Sequence, residues 1–357
     1  MTTRMFAFIG SYAEESGPGL YACSYDERTG RLTLLDQAGG LPNPTFLVPD
    51  EDKRTIYAIT EIQDEEGRRS GAAAAFRFDP ETKRLQKLNL EDTTPATTCH
   101  IELDRTRRLA IASSYHGGLL GVSRVLDDGR IGPALQVHRH EGSSVLPVQS
   151  QSRVHSAVVD RNNRYAVVSD LGLDKVFVYK IDAAGESLIL HSETSVAPGS
   201  GPRHFVFHPT LPYGYGINEL NGTIAVYAFD ADEGRLSVVQ TISTLPEGYE
   251  GANACADIHL SPDGYFLYGS NRGHDSIAAY RVDAADGRLT LVQLAPTLGG
   301  HPRNFAVSPD GRFVLVANRD SNHIVTFSRD SESGKLEPAG IEFQVSGPVC
   351  VRFAAFS

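Results

Sequence analysis

The chain has 357 residues, of which 41% are hydrophobic and 22% are charged, and its formal net charge is −11. This size and composition are typical of a soluble globular protein that buries a sizeable core. The negative charge argues against nucleic acid or an anionic membrane as the principal partner, because both are polyanionic. A small anionic ligand remains compatible with it, since a few arginines outweigh the global field at contact distance.

The cysteines and the apolar runs indicate where the protein resides. Residues 5–9 form the only continuous apolar run near the N-terminus, which is too short for a signal-peptide core. No apolar run reaches the roughly 18 residues of a membrane span, so we expect a cytoplasmic protein. Without a Cys-x-x-Cys pair, the cysteines predict buried thiols in a reducing compartment rather than a zinc site. They are Cys23, Cys99, Cys255 and Cys350.

A unit of four short β-like runs recurs along the chain. In its clearest copies a Ser-Pro-Asp-Gly turn, at residues 261–264 and 308–311, separates the first two runs. The residue that closes the second run recurs at intervals of 47 to 55 residues. Periods of roughly 50 residues with four strands each are the signature of a β-propeller. The closing residues are Tyr12, Glu61, Tyr115, Asp170, Glu219, Arg272 and Arg319.

The two ends of the chain complement each other. The N-terminus begins with a second-strand sequence, residues 6–10, and the C-terminus ends with a lone strand, residues 348–353. Placing the last strand inside the first blade completes a seventh sheet and protects edges that would pair with other chains. No sustained 3.6-residue apolar period predicts a helix. We therefore predict an all-β, seven-bladed β-propeller with four antiparallel strands per blade, in one domain over residues 1–357, its first blade closed by the C-terminal strand.

One long polar segment, residues 136–153, interrupts the repeat. Loops of this length in a compact domain are usually functional or disordered. Because it is attached where the first strands begin, we expect it to lie over the channel mouth as a partial wall. Its two histidines, His138 and His140, lack a third ligand at metal-ligand spacing, so we predict no metal site.

The repeat register gathers polar side chains at one end of the central channel. The first strand of each blade lines that channel, and it begins 15 to 16 positions before the closing residue. Adjacent strand residues point to opposite faces, so the two positions need not share one pocket. The first position holds Phe46, His100, His155, His204, Asp257 and Asn304, the second includes Arg203 and Arg303, and His259 follows further down its strand.

This arrangement indicates proton transfer on a small anionic molecule. A histidine or a desolvated carboxylate transfers protons near neutral pH, and arginines bind carboxylate or phosphate and stabilise an oxyanion. Such groups suit water attack on an ester carbonyl, or ring closure of a carboxylate onto an alkene. For Glu61, Asp170 and Arg319, a rim salt bridge or a turn cap is the simpler interpretation, and each such surface pair contributes about 0–1 kcal/mol.

Seven motifs spread over essentially the whole chain resemble the seven-bladed propeller lactonase family. That family includes the cycloisomerase-type 6-phosphogluconolactonases of bacteria and the 3-carboxy-cis,cis-muconate lactonizing enzymes of fungi. The motifs are residues 43–46 (NPTF), 170–174 (DLGLD), 201–204 (GPRH), 217–219 (INE), 270–276 (SNRGHDS), 301–305 (HPRNF) and 348–351 (PVCV).

The resemblance implies hydrolysis of a sugar lactone, with 6-phosphogluconolactone as the leading substrate, and no cofactor or metal. Lactonization of a muconate and a non-catalytic binding scaffold are the alternatives. The resemblance places the family's pocket-covering segment on residues 140–143 and Gln151. The implied catalytic residues are His155, Arg203, Glu219 and Arg272, and the candidate substrate-binding residues are His100, Gln151, His204 and Arg303.

Two departures from the family pattern concern the substrate more than the fold. Arg153 stands where the family often has the first histidine of a His-x-His motif, and residues 114–116 read Ser-Tyr-His instead of Asn-Tyr-Gly. Arg153 either adds a positive charge for an anionic ligand or pairs with Glu141.

Overall fold

Seven antiparallel sheets of four strands each make up the computed structural model, which describes residues 4–182 and 184–357. Six sheets take four consecutive strands, and the seventh joins the two ends of the chain. The all-β, seven-bladed architecture is therefore confirmed. The strands of the first three blades are β1 (Arg4–Ser11), β2 (Leu20–Asp26), β3 (Arg31–Ala38), β4 (Leu47–Asp50), β5 (Thr55–Gln63), β6 (Arg69–Asp79), β7 (Arg84–Thr94), β8 (His100–Leu103), β9 (Leu109–Ser114), β10 (Leu119–Val125) and β11 (Ile131–Arg139).

The remaining blades continue the same order. Each runs from an innermost strand at the channel to an outermost strand at the surface. Their strands are β12 (Val154–Val159), β13 (Tyr165–Asp170), β14 (Lys175–Asp182), β15 (Ser187–Ser195), β16 (Pro202–Phe207), β17 (Tyr213–Asn218), β18 (Thr223–Asp230), β19 (Arg235–Ser243), β20 (Ala254–Leu260), β21 (Phe266–Arg272), β22 (Ser276–Val282), β23 (Leu289–Pro296), β24 (Pro302–Val307), β25 (Phe313–Asn318), β26 (His323–Arg329), β27 (Leu336–Gln344) and β28 (Pro348–Phe356).

The C-terminal strand closes the ring. β28 lies inside the first blade in the order β28-β1-β2-β3, with Ile9 opposite Val351. The strand extends three residues beyond the predicted end, to Phe356. The seven innermost strands, β4, β8, β12, β16, β20, β24 and β28, contact one another in sequence around the channel. Each innermost strand is therefore covered by its neighbours in the ring, as the sequence predicts.

The hydrophobic core forms a ring between neighbouring blades rather than one central mass. With no tryptophan in the sequence, tyrosines on the second strands carry much of this packing. The hydroxyls of Tyr57 and Tyr215 donate to the carbonyls of Gly129 and Gly287 in the outer turns of the next blades, at 2.9 and 3.0 Å. Both glycines have positive φ angles, 84° and 69°, which a turn of this kind requires. These contacts fix the second blade against the third and the fifth blade against the sixth.

The polar segment between the third and fourth blades is shorter than the sequence indicated. Residues 136–139 belong to β11, because they continue its pairing with β10. The remainder, residues 140–153, contains a 3₁₀ turn at Pro147–Gln149, where no helix was predicted. Within the described part of the chain there is no apolar helix of membrane-spanning length.

Candidate active site

A cavity of about 580 Å³ opens at the end of the channel where the second strands close. Its wall contains closing residues of four blades and the starts of four innermost strands, as the repeat register predicts. These residues are Tyr12, Glu61, Tyr115 and Glu219, with Thr45, Cys99, His155 and Arg303.

Local backbone geometry brings Arg203 and Glu219 together. β16 and β17 pair in antiparallel fashion with Pro202 opposite Asn218, so the residues that follow these two positions meet at the same end. The backbone N–H of Glu219 donates to the carbonyl of Gly201 at 2.7 Å. Gly201 has a φ of 67°, and a Cβ there would lie 2.5 Å from the side chain of Leu220. Glycine at this position therefore allows the strand to begin tightly against Glu219.

The carboxylate of Glu219 is the centre of an ion-pair cluster. Its Oε2 atom lies 2.9 Å from Nε of Arg203 and 2.9 Å from Nη2 of Arg272. Burial alone would raise the pKa of Glu219, but the neighbouring arginines, Arg272 and Arg203 foremost, outweigh it and hold the pKa below its usual value. The carboxylate is therefore ionised at neutral pH. One oxygen is held by two guanidiniums, whereas Oε1 has no hydrogen-bond or ion-pair partner among the described residues.

Both arginines are also fixed by the backbone of β20. Arg203 is only 2% exposed and donates to the carbonyl of Ala256, and Arg272 donates to the carbonyls of Ala254 and Cys255 at 3.0 and 2.8 Å. Burial, together with the neighbouring arginines, lowers the pKa of Arg203 to about 9, so it keeps its charge at neutral pH. The two positively charged guanidiniums are therefore held in fixed positions next to the Glu219 carboxylate.

His155 lies in the cavity wall and is neutral at pH 7. Burial, reinforced by Arg203 and other positive neighbours, holds its pKa well below 6.5. Its ring packs near Tyr115, with 5.7 Å between ring centroids, and Nδ1 lies 3.9 Å from Sγ of Cys99. The structure thus brings all four predicted catalytic residues to one region, with His155 and Glu219 in the wall and the two arginines behind Glu219.

Both predicted substrate-binding histidines, His100 and His204, lie away from the cavity wall. His100 packs between Phe46 and His204, with ring centroids at 4.2 and 5.5 Å. His204 borders only a small void of about 10 Å³ beside Arg203. Its Nδ1 lies 2.6 Å from a carboxylate oxygen of Asp257, so its ring nitrogens are engaged within the protein.

Arg303 is the arginine that stays available to a ligand. It lines both the main cavity and the small void, and its guanidinium carbon lies 5.8 Å from the ring centroid of Tyr12. No carboxylate of the residues described pairs with it. Its counterpart Arg319 pairs with Asp320 at 2.6 Å, which agrees with the rim interpretation of that position.

The other two rim positions also have structural partners. Glu61 lines the cavity, accepts from Asn43 at 2.6 Å and pairs with Arg69 at 3.3 Å. Asp170 is fully buried and caps its own turn by accepting the backbone N–H of Gly172 at 3.0 Å. It also accepts the backbone N–H of Arg153, just before β12, at 2.8 Å.

The segment 140–153 does not form the expected wall, because it is anchored on the fourth blade. His140 contacts Asp170 at 2.8 Å through Nδ1, and Ser152 donates to the same carboxylate at 2.6 Å. No residue of the segment lines the main cavity. Gln151 instead donates to the carbonyl of His116, a cavity residue, at 2.9 Å.

Arg153 neither lines the cavity nor pairs with Glu141 among the residues described. Its guanidinium lies over the ring of Tyr115, 5.0 Å from the centroid, and Nε donates to the carbonyl of Val148 at 3.2 Å. A cation–π contact with Tyr115 therefore holds this guanidinium beside a residue of the cavity wall.

Sequence reasoning passed over several residues of the cavity. Asn43 and Arg69 surround Glu61, and Cys99 adjoins His155, but none was assigned a role. The family motif at residues 43–46 contained a signal for Asn43, and Cys99 directly precedes His100, which the register placed at the start of an innermost strand. Arg69 follows a loop whose conformation the repeat does not determine. In the described residues no three histidine, cysteine or acidic side chains cluster as metal ligands do.

Comparisons with known proteins agree with this architecture. A family model described as "Lactonase, 7-bladed beta-propeller" matches residues 6–353. The 6-phosphogluconolactonase of Formosa agariphila is 35% identical over 308 residues, 84% of this chain and 85% of that protein. That of Bacillus subtilis is 30% identical over 304 residues, 85% of each chain. The periplasmic gluconolactonase of Pseudomonas aeruginosa, a solved structure, is 34% identical with a TM-score of 0.92 and covers 100% of both chains. The chain belongs to the seven-bladed β-propeller lactonase family.

Proposed function

We propose that the protein hydrolyses a sugar δ-lactone and that 6-phosphogluconolactone is its substrate. The names of the curated relatives support the reaction class. The observation that carries the proposal is that one cavity wall contains an ionised Glu219, one oxygen of which contacts two arginines, and a neutral His155. Both groups are in their proton-accepting forms at neutral pH.

In this scheme water attacks the lactone carbonyl while Glu219 or His155 accepts its proton. The carbonyl oxygen becomes an oxyanion, which the positive field of Arg203 and Arg272 stabilises. The ring C–O bond then breaks, and the proton passes to the departing ring oxygen. The product carboxylic acid ionises at neutral pH, so each turnover releases one proton.

The phosphate of the substrate binds to Arg303 in this proposal. Arg203 and Arg272 already pair with Glu219, whereas Arg303 faces the cavity without a carboxylate partner among the described residues. Arginine binds phosphate through two parallel hydrogen bonds, which adds orientation to charge. His100, His204 and Gln151 do not line the cavity, so a direct contact with substrate requires them to move.

We propose a cytoplasmic location on separate grounds. All four cysteines are free thiols, three of them buried, which suits a reducing compartment. The similar protein of Pseudomonas aeruginosa is described as periplasmic, so the two locations are open to direct comparison. Cell fractionation that recovers this protein with periplasmic markers would contradict the proposal.

A pH-stat assay tests the proposed reaction. Purified protein is added to fresh 6-phosphogluconolactone and, in parallel, to glucono-δ-lactone, and the base needed to hold the pH near neutral is recorded above the spontaneous rate. Acid release with the phosphorylated lactone supports the proposal. No acid release, with loss of ultraviolet absorbance from carboxymuconate, would identify the lactonizing alternative. No turnover of either substrate class would favour a binding scaffold.

A further inference from the structure

A carboxylate lies in the middle of the channel, beyond the residues that line the cavity. Asp257 is on β20 and is only 2% exposed. An ionised carboxylate is costly to bury unless several donors compensate it. The donors are Nδ1 of His204 at 2.6 Å, Nε2 of His259 at 2.8 Å, the backbone N–H of Ile258 at 3.0 Å, and the amide of Asn304.

These donors connect the innermost strands of three consecutive blades. His204 is on β16, Asp257 and His259 are on β20, and Asn304 is on β24. The Asn304 side chain in turn accepts the backbone N–H of Val351, on β28, at 2.7 Å. Burial alone would raise the pKa of Asp257, but His259 and His204 outweigh it, so the carboxylate stays ionised. Asp257 therefore joins the innermost strands β16, β20 and β24 through its side-chain contacts.

The contacts of His204 determine which of its nitrogens carries the proton. A guanidinium is only a donor, so the 3.2 Å contact between Nη1 of Arg203 and Nε2 of His204 requires the lone pair on Nε2. The proton of the neutral ring then lies on Nδ1, where Asp257 accepts it. Without that carboxylate, the ring is free to carry its proton on Nε2, which would repel Arg203.

We propose that Asp257 is a positioning residue: through the tautomer of His204 it holds Arg203 in the orientation that pairs with Glu219. The contacts form a connected chain from Asp257 through His204 and Arg203 to Glu219, which lies in the cavity wall. A second contact supports the same orientation, because Arg203 also donates to the carbonyl of Ala256, the neighbour of Asp257 on β20. The kinetic part of this proposal rests on the proposed lactone hydrolysis.

The test compares Asp257→Asn with a matched control, Asp160→Asn. Asp160 is also 2% exposed, and it accepts backbone N–H groups of its own turn, from Arg164 and Tyr165 at 2.7 and 2.8 Å, away from His204. His204 and His259 donate to different oxygens of Asp257, and asparagine replaces one of these oxygens with an NH₂ donor, so it cannot accept from both histidines as the carboxylate does. We expect kcat to fall about 10- to 100-fold with KM near the wild-type value, the usual effect of an outer partner of a site residue. The control keeps the wild-type kcat.

A double-mutant cycle separates positioning from general stability. In His204→Gln, we expect the side-chain amide oxygen to accept from Arg203 with either aspartate or asparagine at position 257, because an amide oxygen needs no particular tautomer. Adding Asp257→Asn to this variant should therefore change kcat much less than it changes the wild type. Equal effects in both backgrounds, or a wild-type kcat in Asp257→Asn, would overturn the proposal.

Nitrogen-15 NMR of the histidine rings decides the structural part without any substrate. The wild-type protein should show a neutral His204 with its proton on Nδ1, and Asp257→Asn should lose this fixed signal. A wild-type proton on Nε2 would overturn the proposal, even if the variant fails to fold. Absence of lactone turnover in the wild type would instead contradict the proposed function and leave the NMR result to decide the role of Asp257.

Discussion

At the scale of single residues, the cavity concentrates positive charge in a protein whose net charge is −11. Two arginines pair with Glu219 and are held by backbone carbonyls, so their charge is fixed in place. Arg303 lacks such a partner among the residues described and faces the cavity. Under the proposed function this difference separates their roles: Arg203 and Arg272 would act on the reacting groups, and Arg303 would bind the anion.

The role of Arg303 predicts a change in substrate preference. Arg303→Gln should lower kcat/KM for the phosphorylated lactone about 10- to 100-fold, since a hydrogen bond to a charged group contributes about 1.5–3 kcal/mol. The unphosphorylated lactone should be affected much less. Arg319→Gln is the matched control, because Arg319 already pairs with Asp320. Equal losses for both lactones in Arg303→Gln would contradict the assignment.

The pKa directions of the two candidate bases predict the acid limb of the pH profile. The pKa of His155 lies well below 6.5, and that of Glu219 lies below 4.5. Both groups therefore remain able to accept a proton as the pH falls from neutral to about 6.5. We expect kcat/KM to stay level over that interval and to decline only at lower pH. An acid limb centred at or above about pH 6.5 would show that neither group, in this environment, is the base.

At the scale of elements, the innermost strands contain polar side chains that the core of a β-sheet normally excludes. Glu102 on β8 is half-buried and has no hydrogen-bond or ion-pair partner among the described residues. Burial raises its pKa to about 7, against the opposing effect of Arg105 and Arg352. The folded protein therefore holds a proton on Glu102 that the unfolded chain releases at lower pH.

This shift predicts how stability depends on pH. With the folded pKa near 7 and the unfolded value near 4.5, Glu102 destabilises the fold progressively as the pH rises between them. Glu102→Gln should stabilise the protein at about pH 8 by about 1 to 3 kcal/mol, since each pKa unit corresponds to about 1.4 kcal/mol, and little at about pH 4.5. Urea unfolding at both pH values measures this, with the exposed Glu247→Gln as control. An equal gain at both values would contradict it.

Elements also show how far sequence reasoning extends. The repeat register located His155, Arg203, Glu219 and Arg272 in one region, because strands of similar length in successive blades end at the same height. It could not decide which inward-facing residues line an open cavity and which pack within the channel, as His204 does. That distinction depends on the channel's width at each level. Sequence reasoning failed for the segment 140–153, because tertiary contacts with Asp170, rather than local sequence, determine its path.

At the scale of the whole molecule, stability depends on closing the ring. The last strand brings Phe356 into the core between the first two blades, where its ring lies 6.1, 5.8 and 5.9 Å from those of Phe6, Phe8 and Phe78. The sequence predicted this closure because the N-terminus lacks a first strand and the C-terminus has one extra. The position of Phe356 itself was not predicted, since the strand was expected to end earlier.

The closure predicts a large cost for truncating a single terminal side chain. Phe356 is 1% exposed, so Phe356→Ala should reduce the free energy of unfolding by about 3–5 kcal/mol through lost burial and a new cavity. The control is Leu34→Ala, at a position 45% exposed, which should change stability by no more than about 0.5 kcal/mol. Urea unfolding followed by circular dichroism measures both. Similar small costs for the two variants would contradict a structural role for the closing strand.

The central claim is that Glu219 and His155 perform lactone hydrolysis in this cavity, and turnover of their variants tests it most directly. Glu219→Gln and His155→Ala are compared with the wild type in the pH-stat assay on 6-phosphogluconolactone, after circular dichroism has verified their folding. Each should reduce turnover about 100-fold or more, the usual contribution of a general acid or base. Wild-type turnover in both variants would contradict the account.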